Sequence, residues 1–534
     1  MRILQVVHGF PPHESAGAEL VTFYLSQALR QRGHQVAVLA RIGDPQAEEF
    51  SVRAEQMDGL EVVRMVNNHL QTSAVLRFAY DNSFCDAPFL RLLERFQPEV
   101  VHFQHLAHLS VSLMPLAAAL GHPTVLSLHD FFFPCHRVHL IDVQNRLCPG
   151  PERGERCVPC LEGFGTPEEI RRRFVYMEQA LQAPDVLLSP SVFLAEKMLG
   201  YFPFLQERLR VVPLGVKPVP RQAQEHQPGA LLRILSVGFL SPPKGAHVLI
   251  EAVKGLPSDA FEASLYGASS AFWQPYGDQV RAAAQGLPVR FYGPYAHEQL
   301  ASILSRHDVL VVPGICEETF SIVTREALMA GLPVVAARRG ALPEAIQDGG
   351  NGLLFAPEDA GDLRRCLARL IAEPDFLERL RSSDPPMKTM AEYAGEMEAM
   401  YREISAAPYR LRSLQKHRAG QYQVYAAFSQ EQERLRAEAS ALSTQNATLQ
   451  SERDRLRREK LQAEQERDWI LATAQELKSA LATHDQEIRE RDVRLNAIYA
   501  STTWKLYRCY AACVRSLLLI RRALGKLKRR LVKE

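Results

Sequence analysis

Two glutamates, Glu318 and Glu326, stand eight positions apart in "PGICEETFSIVTREALMAGLPVVAA" (313–337). The run "TREALMAG" predicts a helix that begins near Ser321 or Ile322 and ends at Gly331. The first N–H groups of a helix have no intrahelical acceptor, so this start is suited to receive a phosphate. An acidic side chain one or two turns further in can grip the hydroxyls of a ribose, because a carboxylate accepts two hydroxyl hydrogens with good geometry.

A second group of reactive side chains is Cys135, Cys148, Cys157 and Cys160, spaced C-x12-C-x8-C-x2-C. A C-x2-C step can fill two tetrahedral corners and two further thiolates complete the set. A closed set of four leaves no open coordination position, so a zinc ion there would be structural. Soft ligands of this kind also suit an iron–sulfur cluster, and four unliganded thiols are the plain alternative. His8, His102, His105 and His108 lie near the ends of apolar runs, where isolated histidines more often pack or face solvent than react. "GASS" (267–270) is a weak phosphate loop, and the chain holds no G-x-x-x-x-G-K-[ST].

The elements that must position these groups alternate. "RILQVVH" (2–8), "QVAVLAR" (35–41), "EVVHFQH" (99–105), "PTVLSLHD" (123–130) and "DVLLSPS" (185–191) read as strands, and "AELVTFYLSQALRQRGH" (18–34) as an amphipathic helix. After the Pro- and Gln-rich "VKPVPRQAQEHQPG" (216–229) the alternation restarts with "LRILSVG" (232–238), "FEASLYG" (261–267), "VRFYG" (289–293), "DVLVVPG" (308–314), "LPVVAA" (332–337) and "GLLFAP" (352–357). Strands alternating with helices predict parallel doubly wound sheets, which bind ligands at the carboxyl ends of their strands. The expected fold class is α/β: two Rossmann-like domains facing across a cleft, 1–215 and 231–385, with a linker at 216–230. A terminal helix at 386–408 should pack back on the body.

The C-terminal quarter is different in kind. Leu435, Leu442, Leu449, Leu456, Ala463, Ile470 and Leu477 recur every seven residues, and the seam then shifts to Leu481, Ile488 and Leu495. These heptads predict a coiled coil within 409–500, with Asn446 at an a position that favours a dimer, so a homodimer or higher oligomer is expected through 430–498. In 501–534 the apolar stripe Leu506, Tyr510, Cys513, Leu517, Ile520, Leu524, Leu527 and Leu531 lies opposite Arg508, Arg515, Arg522 and Arg529. From Trp504 to Glu534 there are ten basic residues and one acid (+9), so the 53 basic and 60 acidic groups of the preceding 503 residues leave those at −7. A basic amphipathic helix with Trp504, Tyr507 and Tyr510 at its start is suited to an anionic membrane interface, with a protein-docking helix as the alternative. Nucleic acid is not an expected partner. The N-terminus lacks the layout of a signal peptide and no stretch approaches the ~18 apolar residues of a spanning helix, which predicts a cytoplasmic chain peripheral to the inner membrane face.

Several motifs in the right order resemble the retaining family-4 glycosyltransferases of the GT-B fold. They are Glu318-x7-Glu326 with "ALMAGLPVVA" and "NGLLFAPED", "SVGFLSPPKGAHVLIEA" (236–252), "HESAGAELVTFYLSQAL" (13–29) and "SLHDFFF" (127–133), together covering about residues 1–405. The resemblance implies a nucleotide-sugar donor bound mainly by the second domain. Gly17 and Gly238 would stand in the glycine loops, and Lys244 would neutralise the diphosphate. Amides near Phe320, Ser321 and Ile322 would meet the phosphates. Glu326 would hold the ribose, Glu318 the transferred sugar, and His129 would reach the sugar and the acceptor hydroxyl. No cofactor is required for the chemistry in this family, and a lipid-linked or glycan acceptor is implied. Some members have a cysteine-bearing insertion directly after the His-Asp motif, here at about 131–165, beside the acceptor entrance. One departure stands out: Phe239 occupies a place where the family commonly has a phosphate-binding arginine, with Arg325, Arg338 and Arg339 nearby in sequence. The expected function is hexosyl transfer to a growing cell-surface glycan, with a non-catalytic GT-B scaffold recruited by its coiled coil as the alternative.

Overall fold

A computed structural model of the chain describes residues 1–68, 76–221, 231–270 and 273–406, and beyond these a set of helical residues between 445 and 516. Residues 1–422 and 423–534 form separate compact units.

The first sheet has eight strands: β1 (Arg2–Val7), β2 (Gln35–Ile42), β3 (Val52–Met57), β4 (Leu60–Val66), β5 (Val100–Phe103), β6 (Thr124–Ser127), β7 (Val186–Ser189) and β8 (Leu209–Val211). Their spatial order is β3-β4-β2-β1-β5-β6-β7-β8, parallel except for the hairpin of β3 with β4 at one edge. Alternate side chains divide between its faces: Leu4 and Val6 join one apolar cluster, Ile3 and Val7 the other. The helix Gly17–Gln31 covers the second face, and with it the helix Met390–Ser405, whose Met390, Tyr393, Met397 and Tyr401 are buried there. That last helix starts at a capping box in which Thr389 and Glu392 exchange side-chain and backbone hydrogen bonds.

The second sheet has six parallel strands: β9 (Leu232–Val237), β10 (Phe261–Tyr266), β11 (Val289–Gly293), β12 (Val309–Val312), β13 (Val334–Ala337) and β14 (Gly352–Phe355), in the order β11-β10-β9-β12-β13-β14. Both sheets therefore reverse direction of winding once, between β1 and β5 in the first and between β9 and β12 in the second. Crevices open outside the strand ends at such switch points. The segments that leave those ends are His8 and Gln104–His105 in one domain, Gly238–Lys244 and Pro313–Glu318 in the other.

The proposed linker is partly structured. Val216 bridges Thr389 and is buried with the first domain, and Val219 is buried with the second, while 222–230 lie outside the described residues. Of the heptad positions, Leu449 and Leu456 are helical; Leu435, Leu442, Ala463, Ile470, Leu477, Leu481, Ile488 and Leu495 lie outside the described residues. In the tail Leu506, Tyr510 and Arg515 are helical, and most of Trp504–Glu534 lies outside. No described helix is long and apolar enough to cross a membrane.

Candidate active site

On the second domain, β12 runs out into the loop 313–321, and the helix Ile322–Met329 begins directly after Ser321, whose φ of 60° places it in the left-handed region. Lys244 ends the turn Pro242–Lys244, and its Nζ donates to Glu318 Oε1 at 2.6 Å. That approach depends on Gly245: its φ is 71°, and a Cβ there would sit 2.0 Å from the Pro313 carbonyl oxygen. Burial alone would depress the Lys244 ammonium, but Glu318 outweighs it and holds the pKa above the usual range. Burial would likewise raise the Glu318 carboxyl, and Lys244 with His139 keeps it below the usual value. The pair is therefore ionised across the physiological range.

Glu326 is 4% exposed, one turn into the helix. Its Oε1 accepts from His297 Nε2 at 2.7 Å, and His297 Nδ1 meets the Tyr24 hydroxyl of the first domain at 2.8 Å. The sequence reading missed His297 and Tyr24, since the contact joins residues 273 positions apart.

The two domains meet around the same loop. Thr319 Oγ1 donates to the His129 carbonyl at 2.6 Å, Ser191 Oγ donates to the Thr319 carbonyl at 2.7 Å, and Lys197 Nζ donates to Glu317 Oε1 at 2.9 Å. Glu344 of the second domain accepts from the Val192 and Phe193 amides, capping the first-domain helix Val192–Tyr201. A Cβ on Gly17 would lie 3.3 Å from Ile322 Cδ1, so the starts of the helices Gly17–Gln31 and Ile322–Met329 face each other closely. Gly238 abuts the Lys244 stem, a Cβ there lying 3.7 Å from Cγ.

On the first domain, His129 follows β6, and its Nε2 donates to Gln104 Oε1 at 2.8 Å. Burial, helped by the charge of His105, pushes its pKa down to about 4, so the ring is neutral at pH 7. It can exchange hydrogen bonds with a hydroxyl but is no resident cation. His102 is wholly buried between Tyr401 and Ser127, a structural role consistent with its position inside β5. His105 and His8 each face a carboxylate: His105 Nε2 lies 3.1 Å from Asp130 Oδ2, His8 Nε2 lies 3.1 Å from Glu19 Oε1, and their rings are 4.2 Å apart. Burial lowers His105, but Asp130 and Glu19 outweigh it and raise its pKa. Gln104, His105, His129, Asp130 and Phe132 line a small recess.

The three arginines near the missing phosphate cation are engaged elsewhere. Arg325 lies over the Phe320 ring at 3.6 Å and donates to the Phe320 carbonyl; Arg338 donates to Asp348 at 2.5 Å; Arg339 donates to Glu358 at 2.8 Å. Phe239 is 47% exposed.

The insertion after His129 spans both domains. Its base, Phe131 to Phe133, is buried in the first-domain core and receives the buried Arg173, which donates to the Phe132 and Phe133 carbonyls. Its tip is the bridge Ile141–Leu147, with Asp142 Oδ1 accepting the Gln144 and Arg146 amides at 2.9 Å. Ile141, 3% exposed, and Leu147 pack into the second-domain cluster that holds Leu240, Ile315 and Cys316.

Cys135, Cys148, Cys157 and Cys160 share one neighbourhood within this insertion and are free thiols. Burial, then Cys135, pushes the Cys157 thiol up to about 12, with Cys148 and Cys160 adding to the shift and Arg173 opposing it. Among the described residues no group of three or more His, Cys, Asp or Glu is arranged to hold a metal ion.

Two Rossmann-like parallel sheets with a lysine–glutamate pair and a buried helical glutamate at the second switch point define a GT-B-like glycosyltransferase body. Residues 15–219 match the family described as Glycosyltransferase Family 4, and residues 232–373 match Glycosyl transferases group 1, so the chain carries both glycosyltransferase domains. It is 30% identical over 248 residues to a D-inositol 3-phosphate glycosyltransferase of Streptomyces griseus, a match that takes in 40% of this chain and 52% of that protein. The chain thus spans about half the length of the curated relatives it matches. Among solved structures it resembles sucrose-phosphate synthase from Thermosynechococcus elongatus (TM-score 0.58, 20% identity, 76% of this chain and 99% of that one). It also resembles Anabaena HepE in complex with UDP and glucose (TM-score 0.53, 16% identity, 75% and 99%). At these identities the structural likeness establishes the fold.

Proposed function

We propose that the chain is a retaining glycosyltransferase that moves a hexose-type sugar from a nucleotide-sugar donor to a growing cell-surface glycan at the cytoplasmic membrane face. The observation that carries the reading is the meeting of Lys244, Glu318 and the start of the helix Ile322–Met329 with the His129 segment across the domain junction. A diphosphate placed at that helix start would meet amide donors, the helix dipole and the Lys244 ammonium. Glu326 would bond the ribose, exchanging its His297 hydrogen bond or using its second oxygen. Glu318 would hold hydroxyls of the transferred sugar.

In the reaction the bond between the anomeric carbon and the diphosphate oxygen breaks and the acceptor hydroxyl oxygen bonds to that carbon. The hydroxyl proton passes to the departing phosphate on the same face, the route implied by the retaining family. Charge grows on the leaving oxygen, so fixed donors there lower the barrier: removing one such donor typically costs about 10²–10³ in rate. Neutral His129 would orient the sugar and acceptor hydroxyls.

The relative named for an inositol phosphate acceptor and the neighbour holding UDP support a sugar-nucleotide enzyme. The membrane-facing acceptor rests on the basic stripe of 504–534, and oligomerisation on the heptads of 430–498. Thermal stabilisation by UDP-, GDP- or ADP-sugars tests the reading, with Glu326→Ala expected to abolish the shift; no stabilisation by any of them counts against it. A scaffold without catalysis is the second reading, favoured by the exposed Phe239 at the phosphate side.

A further inference from the structure

We infer that His139, in the cysteine-bearing insertion just before its Ile141–Leu147 tip, is a donor-binding residue that supplies the second cationic contact to the diphosphate. The inference rests on the donor reading of the site given above.

The insertion brings the ring there by packing. Its base is fixed to the first domain by Phe131, Phe132 and Phe133, while Ile141 is buried in the second-domain core that holds Ile315 and Cys316 and Leu147 packs partly buried against it. His139 lies between these two anchorages, two residues before Ile141. The local backbone is tightly specified: Val138 and Leu140 both have positive φ, of 58° and 49°, and the His139 amide donates to the Arg137 carbonyl at 2.8 Å. The residue keeps an exposed edge while the surrounding protein desolvates its ring, and it lies close enough to Lys244 and Glu318 for both charges to act on it. Reciprocally, His139 is one of the groups that keep Glu318 ionised.

Charge counting explains what the ring could do. The diphosphate of a nucleotide sugar carries two negative charges, and Lys244 offers one positive charge that Glu318 already partly neutralises. Arg325, Arg338 and Arg339 are committed to Phe320, Asp348 and Glu358. Phe239 contributes none. The groups whose charges reach His139 are Lys244 and Arg137, which disfavour its protonation, and Asp130 and Glu318, which favour it. Burial, then Lys244, leave the ring below its ordinary pKa without donor. Two phosphate charges beside it would reverse that balance, because an adjacent anion favours the imidazolium. Donor binding should therefore take up a proton at His139, and affinity should fall as pH rises through the pKa of the imidazolium in the complex.

The test is calorimetry of the full chain with UDP-glucose, GDP-mannose and ADP-glucose, whose diphosphates do not titrate near neutrality, in buffers of different ionisation enthalpy. For the donor that binds, His139→Gln should weaken affinity about tenfold or more at pH 6.5. It should also lose the proton uptake seen with the wild type, and leave the melting temperature unchanged. His139→Arg should restore affinity and make it independent of pH between 6 and 8. His139→Gln binding within twofold of wild type with the same proton uptake overturns the inference, as does wild-type binding with no uptake. If His139→Gln fails to fold, His139→Arg and the wild-type uptake decide. A wild type that binds none of the three donors overturns the donor reading and this inference together, whereas intact binding in the variants removes His139 alone.

Discussion

Lys244 Nζ and Glu318 Oε1 are 2.6 Å apart, an ion pair between the two segments that leave the second-domain switch point. The two residues belong to segments 74 positions apart that leave adjacent strands, β9 and β12. A phosphate arriving at the helix Ile322–Met329 would share the ammonium with the carboxylate, so the lysine stays charged before and after donor binding. Lys244→Met keeps the stem and removes the charge. Donor turnover should fall by about 10²–10³, measured as kcat/KM, with Lys244→Arg retaining part of it. Unchanged kcat/KM in Lys244→Met would place the phosphates elsewhere.

Acid should destabilise the body in a defined window. Burial lowers His129 to about 4 and His102 to about 3, below the unfolded histidine value. The unfolded chain then binds protons at these two sites that the folded one refuses, so their contribution is full above pH ~6.5 and declines as pH falls toward 4. Asp130 acts lower down: burial raises it but His105 outweighs this and holds it at about 2, so its contribution is lost only below pH ~4. Thermal melts from pH 7.5 to 4.5 should show the decline, and His129→Asn should flatten it. A melting temperature that rises on acidification would contradict the assignment of neutral buried histidines.

Strands were legible from short apolar runs: the expected 35–41, 123–130 and 185–191 lie over β2, β6 and β7, and the helix expected from Ser321 or Ile322 begins at Ile322. The hairpin of β3 and β4 carries its own signal in Asp58-Gly59, both at positive φ, yet the exposed face of Val52–Met57 hides it from a search for apolar runs. Lys244 and Glu318 could each be singled out because they sit in local motifs; that the two pair was not legible in the sequence. Tyr24–His297–Glu326 and the burial of Ile141 in the second domain were not legible either, because each depends on how two domains dock, which leaves no periodicity in either segment.

The insertion offers a separate check. Its four thiols share a neighbourhood beside buried Arg173, and a structural zinc or iron–sulfur centre there is a proposal drawn from their spacing. Elemental analysis of purified protein should find about one zinc, or iron and sulfide, per chain. Cys157→Ser should lower that content and damage folding or acceptor use before donor binding. Metal-free protein of full activity would leave the four as packing thiols.

The basic tail is expected to act independently of the body. Removing Trp504–Glu534 should abolish binding to vesicles containing anionic lipid, while donor turnover in solution stays within about twofold. Equal vesicle binding after truncation would contradict a membrane role for the stripe Leu506–Leu531.

The central claim is that the Lys244–Glu318–Glu326 site turns over a nucleotide sugar. The most direct measurement is release of nucleoside diphosphate from UDP-, GDP- and ADP-linked hexoses by the wild-type chain and by Glu326→Ala. Release from at least one donor, reduced tenfold or more in Glu326→Ala, is the predicted result. Release from none of them, or equal release by the variant, would contradict it.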